Sequence, residues 1–191
     1  MKWLPLVFIF ICGFTLNGLT QQKFEREYRI KEQQVPKEAL SFLSKVASEQ
    51  KVKWFREESP QGTSIEAKVV IEERLHSIEF DTLGKVQDVE ILIKSKSIPK
   101  ATFDQMNKQL NNVFQKYQYS KIQLQYIGNV YSLTQAINSN SPDQTIVKNY
   151  ETVIKGKNED GMKLYEITFD ESGQIIGKEE IVFKNADHLE Y

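Results

Sequence analysis

The chain is poor in the residues that usually carry chemistry. Among its 191 residues there is a single cysteine, Cys12, and there are two histidines, His76 and His188. A lone cysteine closes no disulfide within the chain, so no cross-link restrains the unfolded state and stability must come from burial. Two histidines far apart in sequence, without thiols, give no zinc-ligand spacing. There is no Gly-rich phosphate loop, no serine nucleophile elbow and no metalloprotease helix. Neither sign of charge dominates: 25 basic residues face 26 acidic ones, mixed along the chain. That excludes the concentrated positive footprint of a nucleic-acid binder and a polybasic membrane-surface segment. Glycine and proline are sparse, at nine and five, while 40% of residues are hydrophobic and 27% charged. Disorder needs fewer apolar residues and a larger net charge.

Long apolar runs are also missing, with one exception. Residues 1–20 hold one charge, Lys2, followed by "WLPLVFIFICGFTL". A charged start and a short apolar core are the layout of a secretory signal peptide, and the run is short for a membrane span. Cleavage is expected after Thr20; the alternative is a short retained N-terminal anchor. Cys12 follows Phe10 and Ile11, not the small residue that lipidation requires. The processed chain would have no cysteine, no stable membrane span and a net charge of about −2, from 24 basic and 26 acidic residues.

What the sequence does have is repetition. "IKEQQVPK" at 30–37 returns as "IKSKSIPK" at 93–100. Each proline opens a predicted helix, where its missing N–H costs nothing. Ala39, Leu40, Leu43, Val46 and Ala47 then fall on one helical face, as do Phe103, Met106, Leu110, Val113 and Phe114. Beyond each helix the period changes to two, the mark of strands with one buried face. Val52 and Trp54, then Ile65, Ala67, Val69 and Ile71, then His76, Ile78 and Phe80 alternate in the first copy. Ile122, Leu124 and Tyr126, then Tyr165, Ile167 and Phe169, alternate in the second.

The corners "FDTLG" and "FDESG" each place Asp at a turn and Gly three residues on, so that Asp binds the turn backbone and Gly accepts positive φ. The strands that follow match after a one-residue slip, which predicts a β-bulge in the second copy. "KFEREYRI" before the first helix reads as weakly extended. Pro36 to Asp81 is 45 positions and Pro99 to Asp170 is 71. The surplus, about 128–146, is predicted to be a surface loop or a functional one, with at most one helical turn in "SLTQAI".

The predicted class is therefore α+β: two repeats, each a helix packed on a four-stranded antiparallel meander sheet. The boundaries are 1–20 for the signal peptide, 21–95 for the first unit and 96–191 for the second unit with its insertion. The sheets leave strand edges that can pair into one continuous eight-stranded sheet.

A helix opened by "VP" or "IP", a Trp-bearing strand and a "FD..G" hairpin resemble the PepSY-like domains of bacterial envelope proteins of the Bacteroidetes type. These are similar to the beta-lactamase inhibitory protein. The pattern falls on Val35, Pro36, Trp54, Phe80, Asp81 and Gly84, and again on Ile98, Pro99, Phe169, Asp170 and Gly173. The second copy has Ile122, Leu124 and Tyr126 where a Trp is expected. The resemblance implies tandem domains that bind or inhibit other proteins through a sheet face. It implies no catalytic residue, metal or cofactor.

The residues themselves lead to the same place. His76 lies on the apolar side of its strand and reads as a structural histidine. The acid pairs Glu57–Glu58, Glu72–Glu73, Glu159–Asp160 and Glu179–Glu180 read as solvent-facing or oppositely directed neighbours, and "NEDG" at 158–161 as a hairpin turn. With Trp54, Ile65, Ile78 and Ile91 under the helix, the opposite face carries Phe55, Lys68, Val70, Glu79, Glu90 and Leu92. The second copy adds Gln123, Gln125, Leu164, Glu166, Thr168 and Val182. Phe55, Lys68, Val70, Leu92, Gln123, Leu164 and Val182 are the candidate binding residues, read as an apolar patch with a polar rim.

The expected function is an exported, non-enzymatic module that captures or inhibits an envelope protein or peptide on this open face. The alternative is a small-ligand carrier in the periplasm, with Tyr126, Tyr131 and Tyr150 lining a pocket between helix and insertion. An enzyme would need Glu72 or Asp160 buried beside a histidine.

Overall fold

The computed structural model describes residues 21–23, 26–59, 62–139, 142 and 144–182. The predicted signal peptide, Cys12 and His188 lie outside the described residues. In chain order the elements are β1 (Gln21–Lys23), β2 (Arg26–Ile30), α1 (Lys37–Val46), β3 (Lys53–Ser59), β4 (Gly62–Ile71), β5 (Arg74–Phe80) and β6 (Val86–Leu92). They continue with α2 (Lys100–Val113), β7 (Lys116–Ile127), α3 (Val130–Ser139), β8 (Val147–Asn158), β9 (Gly161–Asp170) and β10 (Ile175–Ile181).

Both long helices begin alike. A turn of 3-10 helix, Glu32–Gln34 or Ser95–Ser97, leads to a proline at the N-cap with φ of −57° at Pro36 and −52° at Pro99. The prolines thus sit one position earlier than the first helical turn. Their carbonyls accept from Leu40 and Phe103 at 3.2 and 3.0 Å. Each helix start is met by a hairpin corner. Asp81 Oδ1 accepts the amides of Leu83 and Lys85, and Asp170 Oδ1 those of Ser172 and Gln174, all at 2.9 Å. Gly84 and Gly173 both have φ of +87°, and a Cβ there would lie 2.8 Å from Pro36 Cβ and 2.6 Å from the Thr102 carbonyl respectively. Glycine is required at both corners by conformation and by closeness to the helix.

The strands form one sheet in the order β1-β10-β9-β8-β7-β6-β5-β4-β3-β2, antiparallel from β10 to β2, with β1 parallel to β10. The two predicted four-stranded sheets are thus joined edge to edge, as their free edges allowed, and β1 and β2 extend the expected eight strands to ten. β6 and β7 pair directly, with Leu92 opposite Gln123 and Asp88 opposite Ile127. The predicted slip needs correction. Both hairpins carry a bulge, since Glu79 opposes Asp88 while Phe80 opposes Val86, and Ile175 opposes Phe169 while Gly177 opposes Thr168.

The helices cover one face of this sheet. Ala39, Phe42, Leu43 and Val46 of α1 pack with Trp54, Ile65, Ile78, Phe80 and Ile91. Met106 and Leu110 of α2 pack with Phe114, Tyr150, Ile154, Tyr165, Ile167 and Phe169. The 128–146 region departs from expectation. Val130–Ser139 is a helix, capped by Asn129, whose side chain accepts the Ser132 amide at 3.0 Å. Its Leu133, Ala136 and Ile137 are buried in the α1 core, so i, i+3, i+4 spacing makes this segment part of the core and not a loop.

The sheet's two ends come together. Lys23 pairs with Ile181 on one edge strand, and Arg26 pairs with Glu58 beside the other edge. Three Cα steps span at most ~11 Å. The sheet therefore curls round until its first and last strands are bridged by the N-terminal segment, leaving the helices outside. No helix among the described residues is long and apolar enough to cross a membrane.

Candidate functional site on the inner face of the sheet

The face turned away from the helices forms a half-open cavity of about 410 Å³ lined from β2 through β10. Alternation and register determine which side chains reach it. Glu66 opposes Glu79, Glu79 opposes Asp88, Glu90 opposes Gln125, and Glu166 opposes Glu179. A bulge between Tyr119 and Lys121 shifts the phase of β7, so that Tyr117 and Tyr119 lie with the helices while Lys121, Gln123 and Gln125 share the inner face.

The lining is acidic. Glu27, Glu57, Glu66, Glu79, Asp88, Glu90, Glu151, Glu166 and Glu179 supply nine carboxyl groups. Three lysines contribute, Lys68, Lys121 and Lys178. The third turns its ammonium outward, to 5.9 and 5.5 Å from the Phe114 and Tyr165 rings.

At the β2–β4 end, carboxylate oxygens of Glu27, Glu57 and Glu66 lie within 4.8 Å of one another. Lys68 Nζ bridges Glu27 and Glu66 at 2.9 Å each, stacks over Phe55 at 4.6 Å, and is raised above the ordinary lysine value by these hydrogen bonds despite partial burial. Ser77 Oγ donates to Glu66 Oε1 at 2.5 Å.

Around the β6–β8 seam the side chains form a network of amides and acids. Gln123 Nε2 donates to Glu90 Oε2 at 2.8 Å, Gln125 Nε2 to Asp88 Oδ2 at 3.0 Å, and Asn149 Nδ2 to Gln125 Oε1 at 3.1 Å. Burial pushes the Glu90 carboxyl up to about 7, reinforced by Asp88 and Glu166 and opposed by a hydrogen bond with Glu151 and by Lys121. Gln123 is 5% exposed, and its Oε1 is buried with no hydrogen-bond partner.

Of the sequence-predicted binding residues, Phe55, Lys68, Val70, Leu92, Gln123 and Leu164 share this face by register. Their arrangement inverts the expected patch. The centre is polar and acidic, and the apolar residues lie beyond it. Val70 and Leu92, with Leu75, are exposed at one end. Leu164 and Val182 line a depression of about 340 Å³ with Met162 and Ile181 at another. The residues that sequence reasoning passed over are Glu66, Asp88, Asn149 and Glu151. The signal was present, because Asp88-x-Glu90, Gln123-x-Gln125 and Asn149-x-Glu151 put polar groups at period two beside buried apolar neighbours.

The pocket expected between Tyr126, Tyr131 and Tyr150 does not form among the described residues. Tyr126 belongs to the α1 core, Tyr150 to the α2 core, and Tyr131 is 70% exposed. Tyr126 and Tyr150 are diagonal neighbours on the helix side of β7 and β8, each packed into a core, while Tyr131 stands in solvent on α3. His76 is buried on the helix side with Nδ1 2.9 Å from the Arg74 carbonyl, and burial lowers its pKa. Glu72 and Glu73 occupy the exposed β4–β5 turn, and Asp160 the exposed β8–β9 turn.

No family model and no curated protein matches the sequence. Solved structures do. A BLIP-like protein from Bacteroides fragilis is 13% identical, with a TM-score of 0.51, over 81% of this chain and 92% of that one. A DUF2874 family protein from Bacteroides uniformis is 13% identical, with a TM-score of 0.54, over 76% and 89%. A protein from Bacteroides eggerthii described as a candidate periplasmic protein is 11% identical, with a TM-score of 0.50, over 76% and 88%. At these identities the likeness is one of fold, and the fold is BLIP-like.

Proposed function

We propose that this chain is an exported, non-enzymatic binding module made of two PepSY-like units, which captures or inhibits a protein or peptide on the inner face of its sheet. One observation carries the reading: the helices pack on one face, while the other is left concave, with exposed Val70, Leu75, Leu92 and Met162 flanking a polar centre. Exposed apolar groups beside a concave polar site are the composition of a protein-binding surface. Export is supported by the N-terminal apolar run and by the description of the B. eggerthii protein, and the proposed cleavage after Thr20 would leave β1 at the start of the processed chain. The tandem reading is supported by the matched helix starts and glycine corners.

The test is affinity capture from a cell-envelope extract, repeated with Phe55→Asp and Leu164→Asp. A specific partner retained by the native chain and lost by the double variant, at about tenfold or more, supports the reading. Equal retention by the variant removes this face from consideration, and no partner in any extract removes the class.

A small-ligand carrier is favoured by a different observation, the half-open cavity of about 410 Å³, a volume typical of small-molecule sites.

A further inference from the structure

We infer that the notch beyond the end of β6 takes up an extended, acidic segment of a partner protein, added as a strand to the free edge of β7. This edge is not part of the inner-face reading above, and the inference goes beyond it.

The first observation lies in the ladder. β8 follows β7 from Lys116 to Ile127. On the other side β6 pairs with residues 123–127 alone, and one further bond, from the Ile93 amide to the Ile122 carbonyl at 3.0 Å, ends that ladder. Among the described residues no strand takes the β6-side backbone groups of residues 116–121. At about 3.3 Å per residue this edge is about 20 Å long, the length of an ordinary strand. A row of unpaired N–H and C=O groups is a template for an incoming strand. The edge opens into a groove of about 1130 Å³, walled by the β4–β5 turn and by the 3-10 turn Ser95–Ser97.

The second observation is charge. Arg74, Lys94, Lys96, Lys121 and Lys148 line the groove against one acid, Glu73. The whole chain is balanced, with 25 basic and 26 acidic residues, so this excess is local. Arg74 and Lys148 have partners in Glu72 and Glu171. Lys94 and Lys96 are exposed and form no ion pair among the described residues. An acidic occupant is drawn to this groove and repelled by the carboxyl-lined cavity beside it. The third observation is apolar. Leu75 and Leu92 are 40% and 42% exposed, and half-buried Phe103 and Tyr119 pack with ring centroids 5.5 Å apart. Side chains alternate along a strand, so acids spaced by apolar residues answer both the lysines and these surfaces. A small anion meets the lysines and leaves the edge unpaired, whereas a strand meets both.

Fluorescence anisotropy of the purified chain tests this with three labelled hexapeptides. One alternates Glu and Val, one alternates Lys and Val, and the third is the Glu/Val peptide N-methylated at every residue, which cannot donate to a ladder. The expected result is that the Glu/Val peptide binds tighter than either control by about tenfold or more, and loses about tenfold in Lys94→Glu/Lys96→Glu. Hydrogen exchange of the amides in residues 116–121 should slow when it binds, a readout that ionic adsorption to the lysines does not move. No binding, equal binding by the methylated peptide, unchanged exchange, or full affinity in the folded lysine variant overturns the inference. A probe lost with Phe55→Asp/Leu164→Asp and kept by the lysine variant moves the contact to the inner face, which overturns this inference and leaves the proposed function standing. A dimer in sedimentation that excess Glu/Val peptide does not dissociate assigns the edge to a second copy and overturns it as well.

Discussion

The α1 half and the α2 half solve the same packing problem with different means. α1 has ten residues and buries four apolar side chains, Ala39, Phe42, Leu43 and Val46. α2 has fourteen residues and buries two, Met106 and Leu110, yet it works alone. Its C-cap residue Phe114 and its sheet supply bulk instead, the sheet through Tyr150, Tyr165 and Phe169. The shorter α1 is completed by α3, a helix that belongs in sequence to the other half. Asn138 Nδ2 donates to the Lys45 carbonyl at 3.3 Å, close to the C-terminal end of α1. The lesson is that sequence units and packing units need not coincide. An insertion in one half can be core for the other.

The largest expected effect tests that lesson. Leu133 is fully buried in the α1 core, so Leu133→Ala should cost about 2–5 kcal/mol, as much as Leu110→Ala in α2. A thermal melt that barely moves would return α3 to the status of surface decoration.

Next comes the seam between the halves, where Glu90 faces Asp88, Ser77, Lys121, Gln123, Gln125, Glu151 and Glu166. Its folded value of about 7 lies above the ordinary 4.5. The folded chain therefore holds a proton that the unfolded chain releases, and stability is full below about pH 4.5 and lost as pH rises through 7. The loss is at most about 3 kcal/mol. Melting temperatures from pH 5 to 8 should fall, and Glu90→Gln should flatten the profile. A native profile that rises over this range would show that other groups dominate.

The glycine corners sharpen the comparison from the side of likeness. Gly84→Ala and Gly173→Ala should each cost ~2 kcal/mol, since both combine positive φ with a close approach to a helix start. Unequal denaturant midpoints would mean that the corners are alike in shape but not in load. The smallest effect comes from the two-residue turns. Glu72 and Glu73 have φ of +48° and +63°, whereas the β8–β9 turn leaves positive φ to Gly161. Replacing Glu72-Glu73 by Asn-Gly should raise stability by about 1 kcal/mol, and no gain would show that the Arg74–Glu72 ion pair already offsets the strain.

Much of this architecture is legible in the sequence because it is local. Pro36 and Pro99 announce helices, period-two runs announce strands, and the "FD..G" corners announce themselves through Asp and Gly. The side of each strand follows from alternation, which is why Phe55, Lys68 and Gln123 fall on the inner face as expected. What was illegible is non-local. Nothing in "QQK" at 21–23 names β10 as its neighbour, and pairing of the two edges decides whether the inner face is a flat patch or a cavity. Curvature then turns isolated acids such as Glu66, Asp88 and Glu151, each unremarkable on a strand, into neighbours. α3 was read as at most a turn because "NSNSPD" beside it is strong loop composition, although Leu133, Ala136 and Ile137 already had helical spacing.

The bridging segment has a consequence in time. Gln21 pairs with Glu179, so the ring is completed by the earliest and the latest strands to be made. A nascent chain can complete its α1 core only once α3 has been made, and it stays an open ribbon until its final hairpin has emerged. Contacts this distant in sequence come at the slow end of folding.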